Sequence, residues 1–348
     1  MKDLIKNNRQ LLGLRMHEVA AALGVDQSLI SKFESGKRMP TKAQVIQLAD
    51  VLKVPEGKLL AAWNAEKIWE QIKDSPYAEE SLMMVSERRA VYERKTKFET
   101  SGSLQKLLSK IDKHKTDLDQ LRKYDSYRIA EALDLEYTFE SNRIEGNTLT
   151  LQETNLVVNK GLTISGKSMR EHLEAINHTE AIAFMKQLVQ EKSNVSERDL
   201  LQIHQLVLQG IDQKYAGRYR DLQVVIQGSK HKPPAPYLVQ KQMEDYFIWQ
   251  SSEASKLHPV LRAAECHERL VTIHPFIDGN GRTSRLLMNF VLLKNGYVIA
   301  NIKGSNESRS EYYAALEEVQ VSGNKDRFFQ FIAQNELEAM ERYLEILS

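Results

Sequence analysis

The chain has 348 residues, a formal net charge of +1 and one cysteine, Cys266. A chain of this length is expected to form two or three domains, and its near-neutral charge excludes a whole-chain field that attracts nucleic acid or membrane. The single cysteine excludes an intramolecular disulfide framework and fits a reducing compartment. The N-terminal residues lack the apolar core of a signal peptide and no apolar run approaches about 18 residues, so a cytoplasmic protein with no membrane partner is expected.

Residues 1–63 show short helices with periodic apolar residues, separated by turns. Gly24 is placed to end the second helix, and Asp26 or Gln27 to begin the third. Two short helices joined through a glycine are typical of a helix-turn-helix. The pattern resembles the Xre/Cro-type repressor domain over nearly its full length, in residues 14–20, 24–25, 31–40 and 52–54.

A basic surface supports a role of this first segment in DNA binding. The segment contains ten Lys and Arg against six Asp and Glu, which is a net charge of +4. Gln27, Ser28 and Lys32 are predicted on the exposed face of the third helix, where they could contact base edges. Lys37 and Arg38 are predicted phosphate contacts. The alternative is a dimerisation or docking domain that binds no DNA. Because a single half-site binds weakly, DNA binding would also imply a homodimer.

Residues 64–124 are highly charged and rich in helix-forming residues. Ser75-Pro76 and the stretch 100–103 are expected to break the helices. The segment is therefore predicted to be a connector of two or three helices. It would set the distance between the two ends of the chain and carry no chemistry.

Residues 125–348 are predicted to form a mostly helical body with one exception. The stretch 218–228 has a β-like pattern, and the proline-rich residues that follow turn the chain. A β-hairpin flap on a helical body suggests a docking edge for an extended peptide, formed by Val224, Val225 and Ile226. The alternative is a plain surface hairpin.

The stretch 272–285 contains the groups that phosphate chemistry needs. It offers an imidazole, a carboxylate that suits a hard metal ion, a glycine-rich turn and two guanidiniums. These are His274, Asp278, Gly279-Asn280-Gly281, Arg282 and Arg285. The apolar run 286–293 follows at once and predicts a helix. A turn at a helix N-terminus attracts anions, because free N–H groups and the helix dipole point at it. The pattern therefore predicts a nucleotide substrate.

Residues 274–285 match the motif HPFx(D/E)GNGRxxR of the Fic (filamentation induced by cAMP) family at every fixed position. The resemblance covers roughly residues 103–340 and includes 217–220, 233–234, 257–260 and the pair Tyr312-Tyr313. It implies a mainly α fold. An α-helical Fic domain with a β-hairpin flap, residues 125–348, would follow the small helix-turn-helix domain.

The resemblance implies a reaction in which AMP is transferred from ATP to a Ser, Thr or Tyr hydroxyl and pyrophosphate is released. The partner would be a target protein or the chain itself. His274, whose ordinary pKa lies near neutrality, would be the general base. Asp278 would hold Mg²⁺ or Mn²⁺, hard cations that pair carboxylates with phosphate oxygens.

The same resemblance implies the residues that bind ATP. The N–H groups of Gly279, Asn280 and Gly281 would cradle the α- and β-phosphates, and glycine lets the backbone approach closely. Arg282 would pair with phosphate oxygens bidentately, and Arg285, one helical turn later, would reach the γ-phosphate. Tyr312 or Tyr313 would lie near the adenine. Gln320 stands where other members of the family carry asparagine, which leaves the nucleobase contact open.

Residues 139–147 match the family's inhibitory motif, (S/T)xxxE(G/N). Ser141 and Glu145 are four residues apart, so they lie on one face of a predicted helix at about residues 127–146. The resemblance implies that Glu145 pairs with Arg285 and keeps it from seating the γ-phosphate, which misaligns the α-phosphate. It leaves the direction of the reaction open, because some enzymes of this type use the same glutamate to remove AMP.

Two other functions remain open. The chain could be a DNA-binding transcriptional regulator that uses the Fic body as a nucleotide sensor or oligomerisation platform, although a sensor does not need the base His274. It could transfer phosphate, although family members that do so carry lysine where Gly281 stands. Outside the motif, His258 is expected to be structural and His231 to be solvated.

Overall fold

The computed structural model describes residues 1–83, 85, 100–122, 127–191 and 194–347. The chain divides into two compact units, Met1–Glu93 and Arg94–Ser348, each with a hydrophobic core of its own. The domain boundary predicted at residues 124–125 lies outside the described residues, as do residues 86–99 of the predicted connector.

The first unit is built from short helices. They are α1 (Lys2–Leu11), α2 (Met16–Leu23), α3 (Gln27–Glu34), α4 (Lys42–Val51) and α5 (Glu56–Ile72), and residues 78–83 are also helical. Gly24 has a left-handed φ of 65° that lets the chain turn between α2 and α3. Asp26 caps α3 by accepting a hydrogen bond from Ser28 N at 2.7 Å. Ile30 and Phe33 are buried, so α3 packs on α1 and α2 through one face.

The second unit is also helical. Its helices are α6 (Gly102–Leu121), α7 (Tyr127–Ile144), α8 (Leu151–Lys160), α9 (Met169–Gln190), α10 (Glu197–Val207), α11 (Pro236–Ser252), α12 (Pro259–Ile273), α13 (Asn280–Lys294), α14 (Asn306–Ser322) and α15 (Asp326–Leu347). α12 and α13 pack against each other at the centre, and residues 282–292 of α13 are all buried, which explains the continuous apolar run. Within the described ranges no helix is both long and apolar enough to cross a membrane.

The predicted connector is divided between the two units. α5 runs past the expected boundary at residue 63 and ends at Ile72, just before the expected break at Ser75-Pro76. α6 begins after Ser101, whose Oγ accepts from Leu104 N at 3.3 Å, so the second expected break is a helix cap. α6 packs against α15 and buries its apolar face in the core of the second unit. This helix is therefore part of the body and not a spacer.

The predicted β-hairpin is not formed, since the described residues of this stretch contain no strand. The buried Arg220 holds the two arms of the loop together, donating to Leu222 O at 3.0 Å and Pro234 O at 2.6 Å. Gln223 Nε2 donates to Pro233 O at 3.2 Å. Proline has no N–H to donate to a ladder, so side chains replace the strand pairing that the pattern suggested.

Candidate active site

The loop between α12 and α13 carries the residues that the sequence singled out. His274 ends α12 with a left-handed φ of 50°, and its N–H donates to Leu270 O at 2.9 Å. Asn280, the first residue of α13, accepts from Phe276 N at 3.0 Å and donates to Phe276 O at 2.9 Å through its side-chain amide. The Asn280 side chain therefore fixes the loop, and only its backbone N–H belongs to the open N-terminus of α13.

The His274 imidazole is prepared to accept a proton. Its Nδ1 lies 3.3 Å from Val271 O, and because a carbonyl oxygen only accepts, Nδ1 carries the hydrogen and Nε2 keeps its lone pair. The pKa of His274 is lowered to about 4, chiefly by burial and to a smaller extent by Arg220 and His231, against the opposite effect of the Val271 carbonyl and Glu145. The ring is consequently neutral at pH 7, the state that a general base requires.

His204 of α10 holds the loop from the other side. Its Nδ1 accepts from Gly217 N at 3.0 Å, so its Nε2 donates to Asp278 O at 2.9 Å. The ring also stacks on Phe276 with centroids 3.6 Å apart. Burial lowers the pKa of His204 to about 4, which keeps the ring neutral. No pattern in the sequence indicates this contact.

Two residues of the flap also anchor the loop. Arg220 Nε donates to His274 O at 2.8 Å, and Arg220 N donates to Pro275 O at 2.9 Å. His231 Nε2 donates to Thr272 O at 2.9 Å. The expectation that His231 is solvated was wrong, because the proline-rich arm of the flap folds back onto the end of α12. Of the predicted peptide-docking residues, Val225 is exposed and its neighbours Val224 and Ile226 are half-buried.

Arg285 is buried and tied to α7. Its Nε donates to Ser141 Oγ at 3.1 Å, and its Nη2 donates to Ser141 O at 2.9 Å and to Glu145 Oε1 at 2.7 Å. Burial alone would lower the pKa of Arg285, but the Glu145 carboxylate raises it above its ordinary value. The Arg285 side chain is 1% exposed. Glu145 supplies the opposite charge that offsets the desolvation of the buried guanidinium. The predicted pairing of Glu145 with Arg285 is present in the geometry.

Gly281 lies directly under the Glu145 carboxylate. A Cβ built on Gly281 would collide with Glu145 Oε1 and come within 3.0 Å of Arg285 Nη1. The absence of a side chain thus leaves room for an oxyanion at the N-terminus of α13, and in this structure the oxyanion is that of Glu145.

Asp278, the predicted metal ligand, belongs to a ring of four charges. Arg170 Nη2 donates to Asp278 Oδ2 at 2.5 Å, and Arg170 Nε donates to Glu174 Oε1 at 3.1 Å. The Arg282 guanidinium closes the ring, 3.3 Å from Glu174 Oε1 and 3.5 Å from Asp278 Oδ1. Burial alone would raise the pKa of Asp278, but these two arginines and the Gly279 N–H lower it below its ordinary value.

A metal ion at Asp278 would need ligands that the protein does not supply. Among the described residues, no group of three or more His, Cys, Asp or Glu could hold a metal ion. One carboxylate together with phosphate oxygens is nevertheless an ordinary way to bind Mg²⁺. Asp278 Oδ2 already attracts a cationic group, that of Arg170, so the residues fit a metal that arrives with a nucleotide.

The two tyrosines predicted near the adenine are placed differently. Tyr312 is buried in the core, with its hydroxyl 2.8 Å from His267 Nε2. Tyr313 is 42% exposed, and its hydroxyl donates to Ile144 O at 3.4 Å, beside the end of α7. Of these two tyrosines, Tyr313 is the one that a ligand could reach. The predicted structural role of His258 is confirmed, since its Nδ1 accepts from Val260 N at 3.2 Å and caps α12.

The predicted DNA-contacting residues lie on one helix of the first unit and just after it. The five side chains are all exposed, on the outer face of α3 and in the turn after it; they are Gln27, Ser28, Lys32, Lys37 and Arg38. Arg38 N donates to Lys32 O at 3.2 Å, which brings the turn back against the end of α3.

Comparison with known families agrees with both units. Residues 194–292, from α10 into α13, match the Fic/DOC family profile, and they include the loop with His274. The second unit thus contains a Fic domain. Residues 5–59 match a helix-turn-helix family profile, so the chain combines a helix-turn-helix domain with a Fic domain.

Named relatives share the Fic part of the chain. Protein adenylyltransferase fic-1 of Caenorhabditis elegans is 37% identical over 213 residues, which are 60% of this chain and 41% of the relative. Protein adenylyltransferase Fic of Nematostella vectensis is 36% identical over 244 residues, 69% of this chain and 56% of the relative. The chain therefore spans about half the length of these relatives.

Solved structures share the fold. A fragment of Fic-1 from C. elegans has a TM-score of 0.63 at 24% identity and covers 95% of this chain and 96% of its own. A Fic-domain signalling protein from Bacteroides thetaiotaomicron has a TM-score of 0.60 at 26% identity. The match covers 70% of this chain and 96% of that protein. The predicted α-helical Fic fold is confirmed.

Proposed function

We propose that this protein is an adenylyltransferase that moves AMP from ATP to a Ser, Thr or Tyr hydroxyl of a target protein or of itself. The observation that carries the proposal is a neutral His274 with an unprotonated Nε2, held beside the N-terminus of α13 and its two buried arginines. The named relatives are adenylyltransferases, which supports the same reaction.

The residues divide the work of the reaction. The hydroxyl oxygen bonds to the α-phosphorus of ATP, its proton passes to His274 Nε2, and the bond to pyrophosphate breaks. The N–H groups of Gly279, Asn280 and Gly281 and the guanidinium of Arg282 would hold the phosphate oxygens in line. A bound Mg²⁺ or Mn²⁺ at Asp278 would neutralise phosphate charge. The neutral state of the imidazole is maintained by its burial.

Glu145 is proposed to inhibit this reaction. Its carboxylate lies on Gly281 and holds Arg285, so it occupies the space and the guanidinium that the γ-phosphate needs. ATP could then bind only with its phosphates displaced, and a displacement of about 1 Å is enough to reduce the rate by about 100-fold.

Three variants of the full chain test the reaction and its inhibition. With ATP labelled at the α-phosphate, Glu145→Gly should raise incorporation of label into itself and into lysate proteins, and mass spectrometry should find an AMP adduct. Adding His274→Ala to that variant should abolish the adduct. Glu131→Gly places glycine at an exposed site of α7 and controls for loosening of the helix. Label that persists without His274, or an equal rise in both glycine variants, would contradict the proposal.

The same site could also remove AMP. Glu145 is partly exposed and lies close enough to raise the pKa of His274, so it could orient a water against a modified hydroxyl. We propose removal as the second direction of the same site. The test is release of AMP from protein modified beforehand by the Glu145→Gly variant. Wild type should release it, and the Glu145→Gly variant should not.

DNA binding by the first unit is a second proposed function. It rests on five exposed side chains on and just after the third helix of a helix-turn-helix, and it would be served by a homodimer that presents two such helices. Selection of bound sequences from random duplex DNA with the full chain should yield a two-fold symmetric site. Lys37→Ala with Arg38→Ala should weaken binding to all sequences alike, whereas Gln27→Ala should relax the sequence preference. Recovery of no enriched sequence would leave the domain as a docking module.

A further inference from the structure

Arg170 is the most exposed of the four charged side chains in the ring at Asp278. Glu174 and Arg282 have side chains that are 9% and 2% exposed, so the packed interior holds both. The Arg170 side chain is 56% exposed and lies in the first turn of α9. Arg170 can therefore leave the ring without disturbing the core, whereas the buried Glu174 and Arg282 cannot.

Arg170 contacts the Asp278 oxygen that a metal ion would use. Asp278 Oδ1 accepts from Gly279 N at 2.6 Å, inside the loop. Oδ2 is the remaining oxygen, and Arg170 Nη2 lies 2.5 Å from it. A divalent cation on the same oxygen would lie at about 2.1 Å, so the metal ion and the guanidinium would compete for Oδ2. Their like charges add a repulsion to this competition.

We propose that Arg170 is a positioning residue that competes with the divalent metal ion at Asp278 and so lowers the metal affinity of the site. The proposal rests on the proposed function only in that a metal-bound nucleotide is the substrate. When a metal ion takes Oδ2, Arg170 leaves Asp278 and keeps Glu174, 3.1 Å away, as its counter-charge. This contact restrains the site independently of Glu145, because Arg170 contacts Asp278 whereas Glu145 contacts Arg285.

The proposal predicts a metal-specific effect. Binding of α,β-methylene-ATP, which cannot release AMP, is measured by calorimetry with Mn²⁺ and again with chelator. The measured quantity is the factor by which Mn²⁺ tightens binding, taken in the Glu145→Gly background so that no carboxylate holds Arg285. Arg170→Met should raise this factor about tenfold, the scale of one charge-assisted contact. Arg170→Lys, which keeps the positive charge, should stay near the parent value.

Controls separate this effect from general electrostatics and from loss of fold. Lys167→Met removes a positive charge three residues away that contacts Thr148, and it should leave the factor unchanged. Asp278→Asn should reduce the factor to about one. Melting temperatures check that each variant folds. An unchanged or smaller factor in Arg170→Met, or a factor that survives Asp278→Asn, overturns the proposal. Because no group is transferred in this assay, its result does not depend on whether AMP transfer itself is found.

Discussion

The hydroxyl of Ser141 provides a graded test of the contact between α7 and Arg285. Ser141→Ala removes one of three hydrogen bonds that α7 makes to the guanidinium, the one to Nε at 3.1 Å, and leaves the bonds from Nη2 in place. Arg285 Nη1 already has no hydrogen-bond partner among the described residues. The variant would leave a second nitrogen of a buried cation without a partner.

The size of the effect follows from the charge of the donor. A hydrogen bond to a charged group contributes about 1.5 to 3 kcal/mol, roughly twice the contribution of a neutral one. If this loss of free energy destabilises only the state in which Glu145 and Ser141 hold Arg285, the population of the state with Arg285 released rises about tenfold to about 150-fold. We expect the lower part of this range, because Glu145 and Ser141 O still hold Nη2.

Initial rates of AMP incorporation at saturating ATP measure this rise. Ser141→Ala should be faster than wild type and slower than Glu145→Gly. In the Glu145→Gly background the same change should add little, because both residues act on one equilibrium. Ser109→Ala, which removes an exposed hydroxyl on α6, is the matched control and should behave as wild type. A Ser141→Ala rate equal to wild type, or an equal gain in both backgrounds, would refute the reasoning.

The remaining predictions concern the loop and the core beneath it. The neutral His274 is the base, and its pKa is lowered to about 4. We therefore expect kcat/KM to be flat from about pH 6 to about 8 and to fall only as the pH drops toward that pKa. A pH–rate profile of the Glu145→Gly variant measures this. Asn280→Ala should lower the free energy of unfolding by about 2 to 3 kcal/mol in urea titrations, because it removes two buried hydrogen bonds to Phe276. Tyr312→Phe should lower the free energy of unfolding by about 1 to 3 kcal/mol in urea titrations, because His267 Nε2 loses its partner.

The parts of the site that are contiguous in the sequence could be predicted. The loop from His274 to Arg285 could be interpreted because its turn, its charges and the following apolar run are neighbours in the chain. Ser141 and Glu145 could be linked to it only through the family motif, since 140 residues separate Glu145 from Arg285. The helices could be predicted from the periodicity of apolar residues, but their packing partners could not. For example, α6 was predicted to belong to a connector and instead packs against α15.

The contacts that were missed are long-range or depend on burial. Arg170 is 108 residues from Asp278, and its spacing to Glu174 looks like an ordinary surface ion pair on a helix. His204 had no chemical neighbour in the sequence, although it bonds the backbone of the loop. Tyr312 belongs to the core because α14 turns that side of the Tyr pair inward. The β-like pattern near Arg220 failed because alternation alone does not supply the N–H donors that a strand pair needs.

The missing side chain at Gly281 has a genetic consequence. Under the proposed function, one bare backbone position serves two occupants at different times, a carboxylate of the same chain and a phosphate of the ligand. A side chain at position 281 would exclude both the Glu145 carboxylate and the phosphate. Such a mutation would therefore relieve the inhibition and abolish catalysis together. In a selection for variants that no longer restrain themselves, survivors should carry changes on α7 or at its end, and position 281 should stay invariant among them. Under the proposed function, a substitution at position 281 cannot activate the enzyme. Activating substitutions are instead expected on the helix that faces the loop.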